Sequence, residues 1–264
     1  MVKLIAADVD LTMVAEGAHV INPEYFDVIR SLREKGVLFC AASGRNAMSI
    51  FRLFAPVRDI ISVISCSGTV YWKEGKPHVI GALDYDEVME IEQDIGRIEG
   101  SGFAVESAEH LYMRPGNQFL YDFLGAGYGN DITLIRDGNF PKDDPFVKVE
   151  FYHEHIDRVT DAFVRKWNPK LHLCYAGTCW MDVIAKGCSK GSALERMQKD
   201  LGITPAETAA FGDNGNDLEM LSLAGMSYAV AGAREEVKQA AAHVIGPWEE
   251  DSVLGEMKKI LAAF

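Results

Sequence analysis

The residues best suited to chemistry are acids placed just after apolar runs. Asp8 and Asp10 close the segment VKLIAADVD, two residues apart. On a strand this spacing points both side chains the same way, toward one pocket. Two carboxylates at ~5 Å repel by about 3 kcal/mol at an effective dielectric near ~20, so such a pair persists with a cation, a shared proton, or both. A second cluster, FGDNGND at 211–217, follows another apolar run and brings Asp213 and Asp217, with Gly212 and Gly215 permitting tight turns. Counting from Asp213 places Leu218 and Ala224 where a calcium loop needs glycine and glutamate, so that loop is excluded. An oxygen-rich, cysteine-free set suits magnesium.

Two further groups could meet an anion. Ser43 and Gly44 follow the run VLFCAA and offer a hydroxyl and an unobstructed backbone N–H to a phosphoryl oxygen. Lys190, in CSKGSALERM, opens a helix whose first N–H groups could act with its ammonium. Taken alone, Asp-x-Asp is a capped loop beside a solvated acid, Ser-Gly is a turn, and a surface lysine is a solvated charge. Other chemistries fail on spacing. GCSKGS has glycine after its lysine and lacks Walker spacing, Cys40 stands one residue too close to Arg45 for a thiol phosphatase, and GAGYG follows no strand.

The elements that must hold these residues alternate. VKLIAA reads as a buried strand, and Asn22-Pro23 starts a helix whose Tyr25, Val28, Ile29 and Leu32 recur at helical spacing. Residues 37–42 form a second strand, 46–54 a helix and 60–65 a third strand, so a parallel sheet is expected. After about residue 82 the texture changes. GFAVE, HLYMR, DITLIR, FVKVEFYH and LHLCY read as strands, with helices near 85–99 and 154–167. From about Lys186 the first pattern resumes, with a helix at 190–201, strands at 208–211 and 228–230, a helix near 216–223 and closing helices. The expected organisation is an α/β, Rossmann-like parallel-sheet core at 1–82 and 186–264, interrupted by an α+β cap at 83–185.

Bulk properties narrow the partners. The chain has 264 residues, 48% of them hydrophobic, and 39 acidic against 26 basic residues give a formal net charge of −13. Its average field repels nucleic acid and anionic membrane, so an anionic substrate needs a locally positive pocket. The N-terminal apolar run is too short for a secretory or membrane segment. Five scattered cysteines form no Cys-x-x-Cys pair, which fits a reducing cytoplasm. The oligomeric expectation is a monomer or homodimer.

In order along the chain, DVDLT, SGR, SKG and GDNGND resemble the four motifs of the haloacid dehalogenase superfamily, and the layout resembles its Cof-type phosphatases. That resemblance implies Asp8 as a nucleophile that forms an aspartyl phosphate and Asp10 as general acid and base. It assigns magnesium to the Asp8 carboxylate, the Asp10 backbone carbonyl and Asp213, with Asp217 acting through water or by orienting neighbours. Ser43, Lys190 and Asn216 match positions that hold phosphoryl oxygens. The implied reaction is hydrolysis of a small phosphomonoester, a sugar phosphate or phosphorylated cofactor; phosphoryl transfer within a sugar by a mutase uses the same acids and is the alternative. The sequence departs from the pattern at Leu11, where glycine is usual, at Ser43 for threonine, and at Ser67 for asparagine. Leu11 is expected to present only its backbone N–H to phosphate, its side chain turned away and its φ negative. In the cap, a lid implied to shape substrate choice and exclude water, Arg114, Lys148, Trp180 and Asp182 are candidate contacts, as is Arg45 in the core. Such basic and aromatic residues are equally the material of packing.

Overall fold

The computed structural model describes residues 1–176 and 178–264. In chain order the strands are β1 (Leu4–Asp8), β2 (Leu38–Ala42), β3 (Ser62–Ser65), β4 (Val70–Lys73), β5 (Lys76–Val79), β6 (Gly102–Ser107), β7 (Leu111–Met113), β8 (Ile132–Leu134), β9 (Phe146–Tyr152), β10 (Leu171–Ala176), β11 (Trp180–Ala185), β12 (Thr208–Gly212), β13 (Met226–Ala229) and β14 (His243–Val244). The chain divides into two compact units, Met1–His78 with Ser189–Phe264, and Val79–Cys188.

The first unit holds an eight-stranded sheet in the order β14-β13-β12-β1-β2-β3-β4-β5. From β14 to β3 the pairs are parallel, and β4 runs antiparallel to β3. Its central strands are buried on both faces, so they read as unbroken apolar runs instead of alternating patterns. The helix Glu24–Glu34 buries Tyr25, Val28, Ile29 and Leu32, the residues whose spacing predicts it. The hairpin β4–β5 extends the sheet beyond the parallel core. Its turn places Glu74 at φ 52° and Gly75 at φ 72°, the two left-handed residues that a two-residue hairpin loop requires.

The second unit is a six-stranded sheet in the order β10-β11-β9-β6-β7-β8, antiparallel except for β7–β8. One face, carrying Val105, Val149, Phe151 and Val183, packs in one core with Val88, Ile91 and Ile95 of the helix Tyr85–Gly96 and with Phe163 and Trp167 of the helix Asp161–Trp167. The single helix expected near 154–167 is divided into Ile156–Val159 and Asp161–Trp167. At the break, buried Thr160 turns its hydroxyl back to the Ile156 carbonyl at 2.8 Å, a local bond that competes with helix continuation. On the other face Ala104, Leu111 and Met113 meet Leu120 and Leu124.

Candidate active site

Asp8 ends β1, opposite Ala42 of β2, while Ala7 lies opposite Phe211 of β12. Ser43 and Asp213 therefore leave the sheet on either side of Asp8. This is where strand order reverses, the crevice in which open α/β sheets bind ligands.

Carboxylate oxygens of Asp8, Asp213 and Asp217 lie within 4.8 Å of one another, and all three residues are buried. Lys190, the first residue of the helix Lys190–Leu201, donates from its buried ammonium to Asp8 Oδ1 and, at 2.7 Å, to Asp217 Oδ1. The backbone N–H groups of Asp213 and Asn214 both donate to Asp217 Oδ2 at 3.0 Å, and Thr12 Oγ1 donates to Asp213 Oδ1 at 3.1 Å. Two glycines make the crowding feasible. A Cβ on Gly68 would stand 2.1 Å from the Ser189 carbonyl group, and one on Gly212 would stand 2.6 Å from Asp217 Cβ.

Three carboxylates and one ammonium leave two formal negative charges in a buried site. Burial pushes the Asp8 carboxyl well above its usual range; Lys190 opposes this, and Asp217 and Asp213 add to it. Burial, followed by repulsion from Asp217, pushes Asp213 up to about 6. Burial works against the Lys190 charge, yet Asp217 and Asp8 outweigh it and hold the ammonium above the normal lysine range. The donor set fits a divalent cation: three buried carboxylates without sulfur or imidazole, carrying the charge that such an ion neutralises.

Asp10 is not brought into that cluster by its carboxylate. β1 stops at Asp8, and residues 9–14 fold into a tight turn in which the Met13 and Val14 N–H groups both donate to the Val9 carbonyl. Strand geometry thus does not reach Asp10, and the two side chains part instead of sharing one direction. Asp10 accepts both Nε (2.8 Å) and Nη2 of Arg45, whose side chain is buried, and also the Gly17 N–H at 2.9 Å.

Leu11 overturns its expectation. Its φ is 59°, in the left-handed region that disfavours a branched side chain, and its N–H donates to the Val14 carbonyl at 2.7 Å. The tight turn demands glycine-like geometry, and Leu11 supplies it with its side chain 40% exposed. Ser43 is buried, and its Oγ accepts the Arg45 N–H at 3.1 Å and lies 3.5 Å from Asp10 Oδ2. Gly44 is half-buried beside it, and Asn216 is exposed in the short turn Gly215–Asp217.

Several candidate contacts have structural partners. Arg114 donates to Glu92 at 2.8 Å and lies over the Phe140 ring, and Trp180 packs on Phe123 and Tyr152. Lys148 pairs with Glu106 and Glu150 at 2.7 and 2.8 Å and stands 3.8 Å from Asp182. Arg45, a candidate substrate contact, is instead the partner of Asp10. Thr12 is the site residue to which the sequence lends no role, although it lies inside the quoted segment DVDLT; its signal was adjacency to acids that the sheet brings together.

The fold and site define a class, and the comparisons agree with it. The chain belongs to the haloacid dehalogenase-like hydrolases, whose family profile matches residues 5–257. It is similar to the Escherichia coli 5-amino-6-(5-phospho-D-ribitylamino)uracil phosphatase YbjI, with 25% identity over 98% of this chain and 96% of the relative. A crystal structure from Eubacterium rectale superposes with a TM-score of 0.87 at 33% identity, covering 98% of this chain and 99% of that one. The subclass IIB sugar phosphatase BT4131 shares the fold, with a TM-score of 0.81 at 22% identity and 98% of each chain covered. The chain is thus a phosphatase of this hydrolase family. Among the described residues, no helix is long and apolar enough to cross a membrane.

Proposed function

We propose that this enzyme hydrolyses a small phosphomonoester, a sugar phosphate or phosphorylated cofactor, with magnesium and through an aspartyl-phosphate intermediate on Asp8. The observation that carries the reading is the buried Asp8–Lys190–Asp213–Asp217 cluster at the reversal of strand order, short of two positive charges. Magnesium held by Asp8, Asp213, Asp217 and the Asp10 backbone carbonyl would offset phosphoryl charge. Lys190 uses two of its three N–H donors on Asp8 and Asp217, which leaves the third for a phosphoryl oxygen. Ser43, the Gly44 N–H and Asn216 supply further donors.

Asp8 then attacks phosphorus as the ester P–O bond breaks, and Asp10 gives a proton to the leaving oxygen. Asp10 next takes a proton from water, which attacks the aspartyl phosphate, releases phosphate and restores Asp8. With both oxygens accepting from Arg45, Asp10 is arranged as a proton acceptor, so donating to the leaving group requires that pair to open and the carboxylate to take up a proton from solvent first. The unit Val79–Cys188 is assigned substrate selection. A phosphate-release screen over sugar phosphates, nucleotides and cofactor phosphates tests the proposal. Release is expected with magnesium, and neither EDTA-treated enzyme nor Asp8→Asn should show it. Undiminished turnover by Asp8→Asn would refute the nucleophile assignment.

A further inference from the structure

The edge strand β10 carries a pair of side chains that phosphate chemistry does not use. His172 and Cys174, two residues apart, share the face opposite the packed helices, since Leu171 and Leu173 belong to the helix-facing core. His172 Nδ1 lies 2.9 Å from the Cys188 carbonyl oxygen. A carbonyl only accepts, so Nδ1 carries the proton. Nε2 of the neutral ring is then an acceptor, and it faces Cys174 Sγ at 3.2 Å. The thiol therefore donates to an imidazole whose tautomer and orientation are fixed from its far side, as a nucleophile, its base and an orienting group are arranged.

The other cysteines differ. Cys40, Cys66 and Cys188 are buried, and burial pushes the Cys40 and Cys188 thiols up. Cys179 is half-buried like Cys174, but its sulfur is directed to the Glu154 carbonyl at 3.5 Å. On the face of the pair, Asp182 of β11 stands directly opposite Cys174, and Glu150 and Lys148 follow on β9. The Asp182 carboxylate adds negative charge beside the pair, and proton transfer within the pair leaves its own net charge at zero.

We propose that Cys174, with His172 as its base, is a reactive thiol that small electrophiles and peroxides modify. With hydrogen peroxide, the Cys174 proton passes to His172 Nε2 and the sulfur attacks one peroxide oxygen. The S–O bond forms as the O–O bond breaks. Sulfur is oxidised by two electrons to the sulfenic acid, and the departing hydroxide takes the proton from His172 and leaves as water.

The test is peptide-resolved mass spectrometry of the whole enzyme during labelling with iodoacetamide at neutral pH, and with dimedone after peroxide. Cys174 should alkylate about threefold or more faster than Cys179, the net of a larger thiolate fraction and its lower intrinsic nucleophilicity. His172→Gln should lower the Cys174 rate to that of Cys179 and abolish the dimedone adduct, while the Cys179 rate, read in the same sample, stays unchanged and reports an intact fold. Cys174→Ser should remove the adduct without creating another. Equal rates at the two thiols of the unmodified sequence, or a Cys174 rate indifferent to His172→Gln, would overturn the assignment, and the first comparison needs no variant.

Discussion

Replacing Glu150 with glutamine should change how stability responds to pH more than it changes stability at low pH. In the second unit the Lys148 ammonium is shared by Glu106, Glu150 and, at 3.8 Å, Asp182, and Glu150 Oε2 is buried without a hydrogen-bond partner among the described residues. Burial raises the Glu150 carboxyl from 4.5 to about 8, with Lys148 opposing and Glu106 reinforcing the rise. Between those values the folded protein holds a proton that the unfolded chain has released. Unfolding therefore liberates a proton, and stability falls as pH rises, by at most ~1.4 kcal/mol per unit for one group. The contribution is complete below 4.5 and lost above about 8. Over two pH units inside that window the loss is about 1–3 kcal/mol, or several degrees of melting temperature for a chain of this size. Glutamine stays neutral and keeps a carbonyl for Lys148, so it removes this slope. Titrating groups away from this cluster are common to both proteins, so the difference between their melting curves at about pH 5.5 and about pH 7.5 reports the proton that Glu150 holds together with Glu106 around Lys148. Parallel melting-temperature profiles would refute a proton held on Glu150.

Three substitutions probe the first unit. Leu11→Gly should raise stability by about 0.5 kcal/mol in thermal denaturation, because relief of the left-handed backbone exceeds the added chain entropy. Lys190→Met should cost about 3–5 kcal/mol in urea unfolding by leaving Asp8 and Asp217 without their ammonium, and adding Asp217→Asn should recover part of the loss. Gly68→Ala should cost about 2 kcal/mol or more and reduce phosphate release, since its Cβ would collide with the Ser189 carbonyl and displace the start of the Lys190 helix.

What was legible in the sequence is whatever depends on local pattern. Apolar runs locate β1, β2 and β12, and their ends locate Asp8, Ser43 and Asp213. What escaped depends on contacts across the chain or on runs of mixed character. β11 reads WMDVIA, and its central aspartate masks a strand whose Asp182 is buried beside Lys148. The β4–β5 hairpin had a usable signal in Glu74-Gly75 between strand residues, yet parallel alternation alone does not anticipate an antiparallel extension. The helix Gln118–Asp122 is too short to show periodicity. Leu11 is the instructive error. Residue type argued for a relaxed backbone, but three hydrogen bonds between Val9 and Val14 require the turn, and the turn decides φ.

The parting of Asp8 and Asp10 follows from their cations. A lysine is a compact charge with three donors, so Lys190 can bind two acids and retain a donor for a third oxygen. An arginine is a planar fork, and Arg45 takes both oxygens of Asp10 while its remaining nitrogen donates to the Ala18 carbonyl at 2.9 Å. One acid is thus left in a cluster short of positive charge, suited to bind a cation and a phosphoryl group; the other sits in a neutral pair that holds it aside. Two carboxylates two residues apart acquire different chemistry because the strand ends between them, and environment rather than residue type then assigns their roles.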